Sequence, residues 1–198
     1  MSDAGHSQPS AAMAVQAARQ AFIAGERVDM QKLAADLGVD RTTLFRWVGN
    51  RDKLLATVLW SLGAPTFRNA IEQTESTGPA RVADATGKFV QDLIDAPYFR
   101  VFLQREPERA LRLLTTKASI VQHEMVSATE RLLQQELDRG HLSHSLSAHD
   151  LAYLIARVAE SFIYADLITG ERPDASKAAI AIAALLGDQQ YKPKRSQQ

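Results

Sequence analysis

Apolar residues recur at three- and four-residue intervals along almost the whole chain, and no segment alternates apolar and polar residues as β-strands do. Glycine and proline interrupt this helical pattern, most clearly at Gly78, Pro107 and Gly140. The sequence therefore predicts an all-α protein. The predicted helices cover residues 8–25, 30–37, 41–48, 51–75, 79–95, 97–105, 107–114, 117–139, 147–169 and 174–187.

The segment between residues 29 and 55 has the pattern of two short helices joined by a sharp turn, followed by the start of a third helix. Asp29 and Asp40 precede the two short helices as N-caps, and Gly38 supplies the left-handed backbone conformation of a tight turn. Asn50 stands at the N-cap of the third helix. This spacing predicts a helix-turn-helix, while an ordinary helical hairpin with a glycine turn stays open as the alternative.

The second short helix presents hydroxyl, guanidinium and indole groups opposite its apolar residues Leu44 and Val48. A face of this chemistry suits the major groove of DNA better than bulk water. The third helix begins with Arg51 and Lys53, and donors in the first turn of a helix commonly hold a phosphate. These groups together predict a DNA-binding surface.

The run from Leu33 to Leu54, LAADLGVDRTTLFRWVGNRDKL, resembles the DNA-binding domain of TetR-type transcriptional repressors, whose usual pattern is IA-x-x-(A/G)-GVS-x-GTLY-x-(H/Y)F-x-(S/N)KE-x-L. The chain departs from that pattern at three places. Phe45 replaces a tyrosine that reaches a phosphate, Thr42 replaces a glycine, and Arg51 with its neighbour replaces Lys-Glu. The matching positions are Leu33, Ala34, Gly38, Val39, Thr43, Leu44 and Asn50.

The resemblance implies a three-helix DNA-binding domain followed by a helical domain for ligand binding and dimerisation. The expected divisions are a flexible tail at 1–9, a DNA-binding domain at 10–55, a regulatory domain at 56–188 and a polar tail at 189–198. The expected partners are a double-stranded DNA operator, a second copy of the chain and a small-molecule effector. The expected DNA-binding residues are Arg41, Thr42, Thr43, Phe45, Arg46, Trp47, Arg51 and Lys53.

The last two long helices predict a dimer interface. The segment AIAIAALL within 174–187 carries small side chains that would let a partner helix approach closely, and Ala183 lies in its middle. The helix before it carries an apolar stripe. A core within one chain is the alternative for either stripe alone. The stripe consists of Leu151, Leu154, Ile155, Val158, Phe162 and Ile163.

Aromatic residues concentrate in the middle helices, where regulatory pockets lie in this family. Tyr153, Arg157, Glu160 and Tyr164 of one helix fall at i, i+4, i+7 and i+11 and form a single stripe, the Tyr153 stripe. This stripe either orients an effector or forms a polar seam between two subunits. Plain core packing is the alternative for each aromatic residue. The candidate ligand-binding residues are Trp60, Phe67, Phe89, Tyr98, Phe99, Phe102, His123, Tyr153, Arg157, Glu160 and Tyr164.

The part of the chain between residues 95 and 171 also resembles the regulatory domain of the QsdR-like subgroup of the family. Members of that subgroup control genes for breaking down lactone signals. The resemblance implies an effector such as a lactone or another small amphiphile, and it leaves activation of transcription open as an alternative to repression.

Charge and composition change this picture little. The chain holds 23 Lys and Arg against 23 Asp and Glu, whereas a nucleic-acid binder often has a basic excess. With no cysteine it can form neither a disulfide nor a thiolate metal site. We expect a cytoplasmic protein without cofactor or membrane partner, because the first ten residues are polar and AIAIAALL is too short to span a bilayer.

An enzyme on a helical scaffold is the contrasting hypothesis. His141, His144 and His149 with Asp150 could bind a metal, but their spacing matches no zinc pattern. The sequence also contains no glycine-rich phosphate loop and no nucleophile elbow. A helical adaptor without DNA binding is a third class, which would leave the polar face of the second short helix unused. We therefore expect a regulator and not an enzyme.

Overall fold

Eleven α-helices and no β-strand make up the part of the chain that the computed structural model describes, residues 9–193. The all-α prediction is confirmed. Residues 1–8 of the predicted tail at 1–9 and residues 194–198 of the predicted tail at 189–198 lie outside the described residues. The helices are α1 (Ala11–Ile23), α2 (Met30–Asp36), α3 (Arg41–Val48), α4 (Arg51–Glu72), α5 (Gly78–Asp95), α6 (Pro97–Arg105), α7 (Pro107–Thr115), α8 (Ile120–Asp138), α9 (Ala148–Ile163), α10 (Ala165–Ile168) and α11 (Ala175–Leu185).

The helix-turn-helix forms as the local sequence predicts. The carboxylate of Asp29 accepts hydrogen bonds from the first turn of α2, and that of Asp40 accepts one from the backbone N–H of Thr43 at 2.8 Å. Gly38 has a φ of +66°, as the turn requires. The side chain of Asn50 accepts from the backbone N–H of Lys53 at 2.9 Å and so begins α4.

Predicted helix limits are wrong mainly in the second half of the chain. The single predicted helix over 147–169 divides into α9 and α10, because Tyr164 leaves the helical conformation although no glycine or proline marks the place. Helix α8 begins three residues later than predicted, since the hydroxyl of Ser119 caps it by accepting from the backbone N–H of Val121. The hydroxyl of Ser147 caps α9 by accepting from the backbone N–H of Asp150 at 3.1 Å.

Helix α4 connects two hydrophobic cores. Its first half packs with α1, α2, α3, α6 and α7, where Leu44 and Leu54 are completely buried. Its second half packs with α5, α8, α9 and α11, around residues such as Phe67 and Leu133. The helix therefore crosses the expected domain boundary at residue 55. A movement of its first turns relative to the second core would change the packing of both cores.

The alanine-rich face of α11 packs against α5 of the same chain. A Cβ added at Gly87 would lie 2.8 Å from the Cβ of Ala179, so the two helices approach as closely as a glycine allows. Ala183 is completely buried in this contact region. Our expectation that Ala183 meets a partner subunit is therefore wrong, and the outward face of α11 carries Ile180 and Ala184 instead.

A buried carboxylate fastens the loops at the far end of α4. Glu136 accepts hydrogen bonds from the backbone N–H of Gly78 at 2.7 Å and from Arg81 and Arg139, and Nδ1 of His141 lies 3.2 Å away. Burial acts to raise the pKa of Glu136, but these donors together outweigh it and the pKa is lowered. A Cβ at position 78 would lie only 2.5 Å from the carbonyl oxygen of His141, so glycine is required there.

The start of the predicted polar tail is docked onto the protein. The hydroxyl of Tyr191 donates to a carboxylate oxygen of Asp84 at 2.7 Å, and the other oxygen accepts from Ser76. The tail prediction is thus wrong for this residue, because its ring packs on the second core. No helix between residues 9 and 193 is long and apolar enough to cross a membrane.

A candidate DNA-binding face and an internal cavity

The recognition helix α3 presents an exposed surface of mixed chemistry. Arg41, Thr42, Phe45 and Arg46 are exposed, and the Phe45 side chain is more than half accessible. Within residues 9–193 we find no ion pair for Arg41 or Arg46, so both guanidinium groups are available to an anionic partner.

Thr43 and Trp47 are less available than we expected. The hydroxyl of Thr43 donates to the carboxylate of Asp40 at 2.7 Å, so its proton is already used in the N-cap. Trp47 is half-buried and packs against the first core. Both residues are only partly buried and border the exposed face.

At the start of α4 the two predicted phosphate contacts behave differently. Lys53 is exposed. Arg51 is engaged inside the protein: its Nε donates to the carbonyl oxygen of Val28 at 2.6 Å, and its two Nη atoms each donate to the carboxylate of Glu106 at 2.6 Å. The structure thus argues against the phosphate contact expected of Arg51, because a guanidinium bound in this forked manner is not free for DNA.

Ion pairs continue from Arg51 across the junction between α4 and α7. Asp52 accepts from Arg109 at 2.9 Å and from Arg112 at 2.7 Å, and Arg109 also contacts Glu106. The paired arginines, Arg51 first, hold the pKa of Glu106 at about 2 despite partial burial. The pKa of Asp52 is also lowered, since its two arginines outweigh the effect of burial. The junction is a charged layer between the helix-turn-helix and the regulatory helices.

Aromatic contacts join the same two parts beside the charged layer. Phe22 at the end of α1 packs against Phe102 with ring centroids 5.3 Å apart and against Tyr98 at 5.9 Å. Arg105 donates to the carbonyl oxygen of Gly25 at 2.5 Å. Helix α6 is therefore held to the DNA-binding part by apolar as well as polar contacts.

An internal cavity lies between α4, α5, α6, α8 and α9. It has a volume of about 70 Å³ and walls that are predominantly apolar. Phe22, from α1, also reaches its wall, so the DNA-binding part contributes directly to it. The lining residues are Phe22, Leu59, Trp60, Leu62, Gly63, Phe67, Thr86, Phe89, Leu93, Tyr98, Phe99, Leu114, Val121, Met125, Thr129, Ile155, Ala156, Ala159, Glu160, Ile163 and Tyr164.

A wider and more open cleft of about 750 Å³ lies next to the charged layer. Its polar lining includes Arg51, Glu106 and Arg109, which already satisfy one another. We regard the internal cavity as the better candidate for an organic ligand, because small-molecule sites are mostly apolar with few polar groups.

Seven of the eleven predicted ligand-binding residues line the internal cavity, and four do not. His123 and Tyr153 are exposed, and Arg157 stands behind Glu160 outside the lining. Phe102 faces α1 and the wider cleft instead. Helical spacing placed the Tyr153 stripe on one face, but neighbouring helices bury only its C-terminal half. The seven lining residues are Trp60, Phe67, Phe89, Tyr98, Phe99, Glu160 and Tyr164.

Glu160 is the acidic group in the cavity wall. Burial raises its pKa to about 7, although Arg157 donates to its Oε1 from 2.6 Å and opposes the shift. Arg157 is itself held by the carbonyl oxygen of Thr115 at 3.0 Å and lies over the ring of Tyr153. Burial also raises the pKa of Tyr164, which therefore stays a neutral phenol.

Sequence reasoning missed the polar group on α5 and the aromatic group on α1. Thr86 is buried in the cavity wall, and its hydroxyl has no hydrogen-bond partner among residues 9–193. A signal existed, since Thr86 interrupts the apolar face formed by Val82, Phe89 and Val90. No comparable signal exists in the sequence for Phe22, because an apolar residue on the inner face of α1 is typical of an ordinary hydrophobic core.

The histidines of the metal-binding alternative do not come together. His141 contacts Glu136, His149 contacts Glu130 at 3.0 Å, and Nδ1 of His144 accepts from the backbone of its own loop. Among the described residues no group of three or more His, Cys, Asp or Glu side chains could hold a metal ion. Their separate partners give each histidine a local structural role.

Comparison with known proteins agrees with a helix-turn-helix carried on a helical sensor domain. Residues 77–187 match the family model described as "Tetracyclin repressor-like, C-terminal domain". The transcriptional repressor QsdR of R. erythropolis, from the TetR family, is 32% identical, with a TM-score of 0.84 over 95% of this chain and 97% of that one. No protein with a curated function matches significantly.

A second solved structure shares the fold at lower identity. The TetR-family repressor AlkX from Dietzia sp. strain DQ12-45-1b, implicated in biodegradation of n-alkanes, is 23% identical, with a TM-score of 0.62 over 91% of this chain and 97% of that one. The fold and the similarities define a DNA-binding transcriptional regulator. The chain belongs to the TetR family.

Proposed function

We propose that the protein is a ligand-responsive repressor that binds a near-palindromic operator as a homodimer in the cytoplasm and is released by a small amphiphilic effector. The observation that carries this proposal is the make-up of the cavity wall. Phe22 of α1 and the middle of α4 both line it, and these helices hold the recognition helix α3 in place. A ligand in the cavity would therefore press on the elements that position the DNA-binding face.

DNA recognition would use the exposed side of α3. Arg41, Thr42, Phe45 and Arg46 would lie in the major groove, and Lys53 would contact a phosphate. Arg51 would affect DNA binding only indirectly, by holding the start of α4 to α7. One helix-turn-helix reads only a few base pairs, so two copies are needed for useful affinity and register.

The dimer would form through the outward sides of α9 and α11. Leu154, Val158 and Phe162 stand one helical turn apart on α9 and are only partly buried within the chain, and Ile180 on α11 is 47% exposed. Exposed apolar side chains grouped on neighbouring helices favour an interface. Two subunits joined in this way would place their half-sites about one helical turn of DNA apart.

The small volume of the cavity would couple effector binding to release of the operator. A volume of about 70 Å³ is well below the roughly 300–1,000 Å³ of typical small-molecule sites. An effector, such as the lactone that the QsdR-like resemblance implies, would therefore have to push the walls apart. It needs to favour the expanded state by only a few kcal/mol to empty an operator.

Gel shifts with a fragment of the gene's own promoter test the DNA-binding part of the proposal. Arg46→Ala should weaken binding by about five- to 150-fold, since a good contact to a base edge contributes about 1–3 kcal/mol. Arg68→Ala is the matched control, because Arg68 is exposed on α4 far along from the recognition helix. Equal loss in both variants, or loss in neither, would contradict the proposed face.

Light scattering on Ile180→Glu tests the dimer. An unpaired charge at the contact should give particles of one chain mass that bind the operator poorly but remain helical. Ile23→Glu, at a similarly exposed isoleucine on α1, should stay dimeric. Ala183→Glu should instead unfold the chain, because that residue is buried within it. A monomeric wild-type protein would rule out the arrangement.

A further inference from the structure

Three oxygen atoms in the cavity wall have no hydrogen-bond partner among residues 9–193. The hydroxyl of Thr86 is buried without a hydrogen bond among residues 9–193. Oε1 of Glu160 is held by Arg157, but we find no partner for its Oε2 in the same range, nor for the hydroxyl of Tyr164. The carboxylate of Glu160 acts on the pKa of Tyr164, so these two groups are near each other. The wall thus offers one free acceptor and two free hydroxyls.

Positive charge is kept out of the cavity. No lysine, arginine or histidine is among the residues that line it. Arg157, the cation closest to Glu160, is tied behind it to the carbonyl oxygen of Thr115 and over the ring of Tyr153. A carboxylate head group would therefore meet the oxygens of Glu160 without any cation to neutralise it, which is unfavourable in an apolar environment.

A cationic head group or a plain hydrocarbon fits no better. The charge of Glu160 is already paired with Arg157, so an ammonium group would lose its hydration for an acceptor that has a cation bound. A hydrocarbon would displace water and leave Thr86 and Glu160 unsatisfied. The remaining possibility is an uncharged group that can both donate and accept.

We propose that the effector is an uncharged amphiphile whose head group donates a hydrogen bond to Glu160 and accepts one from Thr86 or Tyr164, as a primary amide or an alcohol does. Its tail occupies the aromatic part of the cavity between Phe67, Phe89 and Trp60. This inference rests on the proposed function, in which the cavity is the effector site. A lactone would fit it only if it also carried a hydroxyl or an amide N–H, because the lactone ring itself has no hydrogen-bond donor.

Calorimetric titration of the full-length protein with eight-carbon probes tests the inference. At about pH 8.5 the carboxyl of Glu160 is mostly ionised, because its pKa is about 7. At that pH octanamide and 1-octanol should bind at least tenfold more tightly than octanoate or octylammonium, which share the tail and differ in head-group charge. Tighter binding of octanoate or octylammonium than of octanamide by wild-type protein would overturn the proposal. Near-equal binding of all four would also overturn it, because the tail alone would then decide affinity.

Two variants tie the selectivity to the cavity. Glu160→Gln removes the negative charge and adds an amide donor, so the ratio of octanoate to octanamide affinity should rise at least tenfold. This ratio is internal to each variant and is unaffected by a loss of folded protein. Thr86→Val keeps the shape and should lower octanamide affinity about three- to tenfold. Thr57→Val, at an exposed threonine outside the cavity, is the matched control and should bind as wild type. An unchanged ratio in Glu160→Gln would overturn the head-group assignment.

Operator release separates this inference from the proposed function. Release by octanamide or octanol, and not by octanoate, supports both. Release by octanoate alone overturns the head-group proposal and leaves an effector-responsive repressor in place. Calorimetric selectivity without any binding to the promoter fragment would overturn the proposed function and leave the ligand chemistry of the cavity standing.

Discussion

Two carboxylates, one near each end of α4, each gather several donors, but they join different kinds of elements. Glu106 pairs with the side chains of Arg51 and Arg109 across the junction and keeps 17% of its side-chain surface accessible. Glu136 is completely buried and accepts from the backbone of Gly78 as well as from side chains. Glu106 connects α4 and α7 through flexible side chains. Glu136 fixes the loop before α5 by binding its main chain.

This difference indicates which end of the sensor domain can move. Side-chain pairs at a partly hydrated junction can lengthen or exchange partners at lower cost than buried ones, because water partly replaces the lost hydrogen bonds. A buried carboxylate bound to a backbone amide cannot, since every broken contact leaves an unsatisfied group in a dry environment. We therefore expect an effector to displace the junction around Glu106 while the region around Glu136 stays fixed.

The largest effect should follow from Glu136→Ala. Removing the carboxylate leaves Arg81 and the N–H of Gly78 without their acceptor, so the free energy of unfolding should fall by about 3–5 kcal/mol in a denaturant titration. Glu136→Gln keeps one acceptor oxygen, so its free energy of unfolding should fall by less. A loss below about 1 kcal/mol in Glu136→Ala would show that this end is no more fixed than the other.

A smaller and pH-dependent effect is expected from Glu106→Gln. The pKa of Glu106 is depressed from 4.5 to about 2, which corresponds to at most about 3 kcal/mol of stability. That contribution is present above pH 4.5 and disappears as the pH falls through about 2. Denaturation at a series of pH values should therefore show a steeper acid loss in wild type than in Glu106→Gln. Parallel curves would contradict the ion-pair role.

Arg51→Ala should change regulation more than DNA affinity. Lys53→Ala should reduce the slope of log affinity against log salt by about one unit, as expected for a lost phosphate contact. Arg51→Ala should leave that slope unchanged and alter the effector concentration needed for operator release, because its guanidinium lies in the junction. Gel shifts at several salt concentrations measure both. An equal drop in slope would return Arg51 to the DNA-binding face.

The smallest effect should come from a surface pair. Glu130 raises the pKa of the exposed His149, so any stability from the pair is present at low pH and is lost as the pH rises through the histidine's pKa. In Glu130→Gln an NMR titration should show the pKa of His149 returning toward 6.5, with no measurable change in melting temperature. A clear change in melting temperature would mean that exposed pairs matter here as much as buried ones.

The helix-turn-helix followed from the sequence because its determinants are local. Asp29, Gly38, Asp40 and Asn50 each act within a few residues of their own position, and all four have the predicted conformation or contacts. The breaks at Gly78 and Pro107 were predicted for the same reason. The family resemblance depended on this local segment, which is why the class of protein could be predicted from sequence.

The tertiary structure decided which side chains are free. Arg51 was expected at a phosphate because it lies in the first turn of a helix, yet its partner Glu106 lies 55 residues away. Ala179 and Ala183 of α11 could have faced a second subunit or α5, and the folded chain buries them against α5, where Gly87 permits the close approach of Ala179. Local sequence determines where a helix begins, ends and turns. Which of its faces is covered depends on distant residues that share no periodic signal with it.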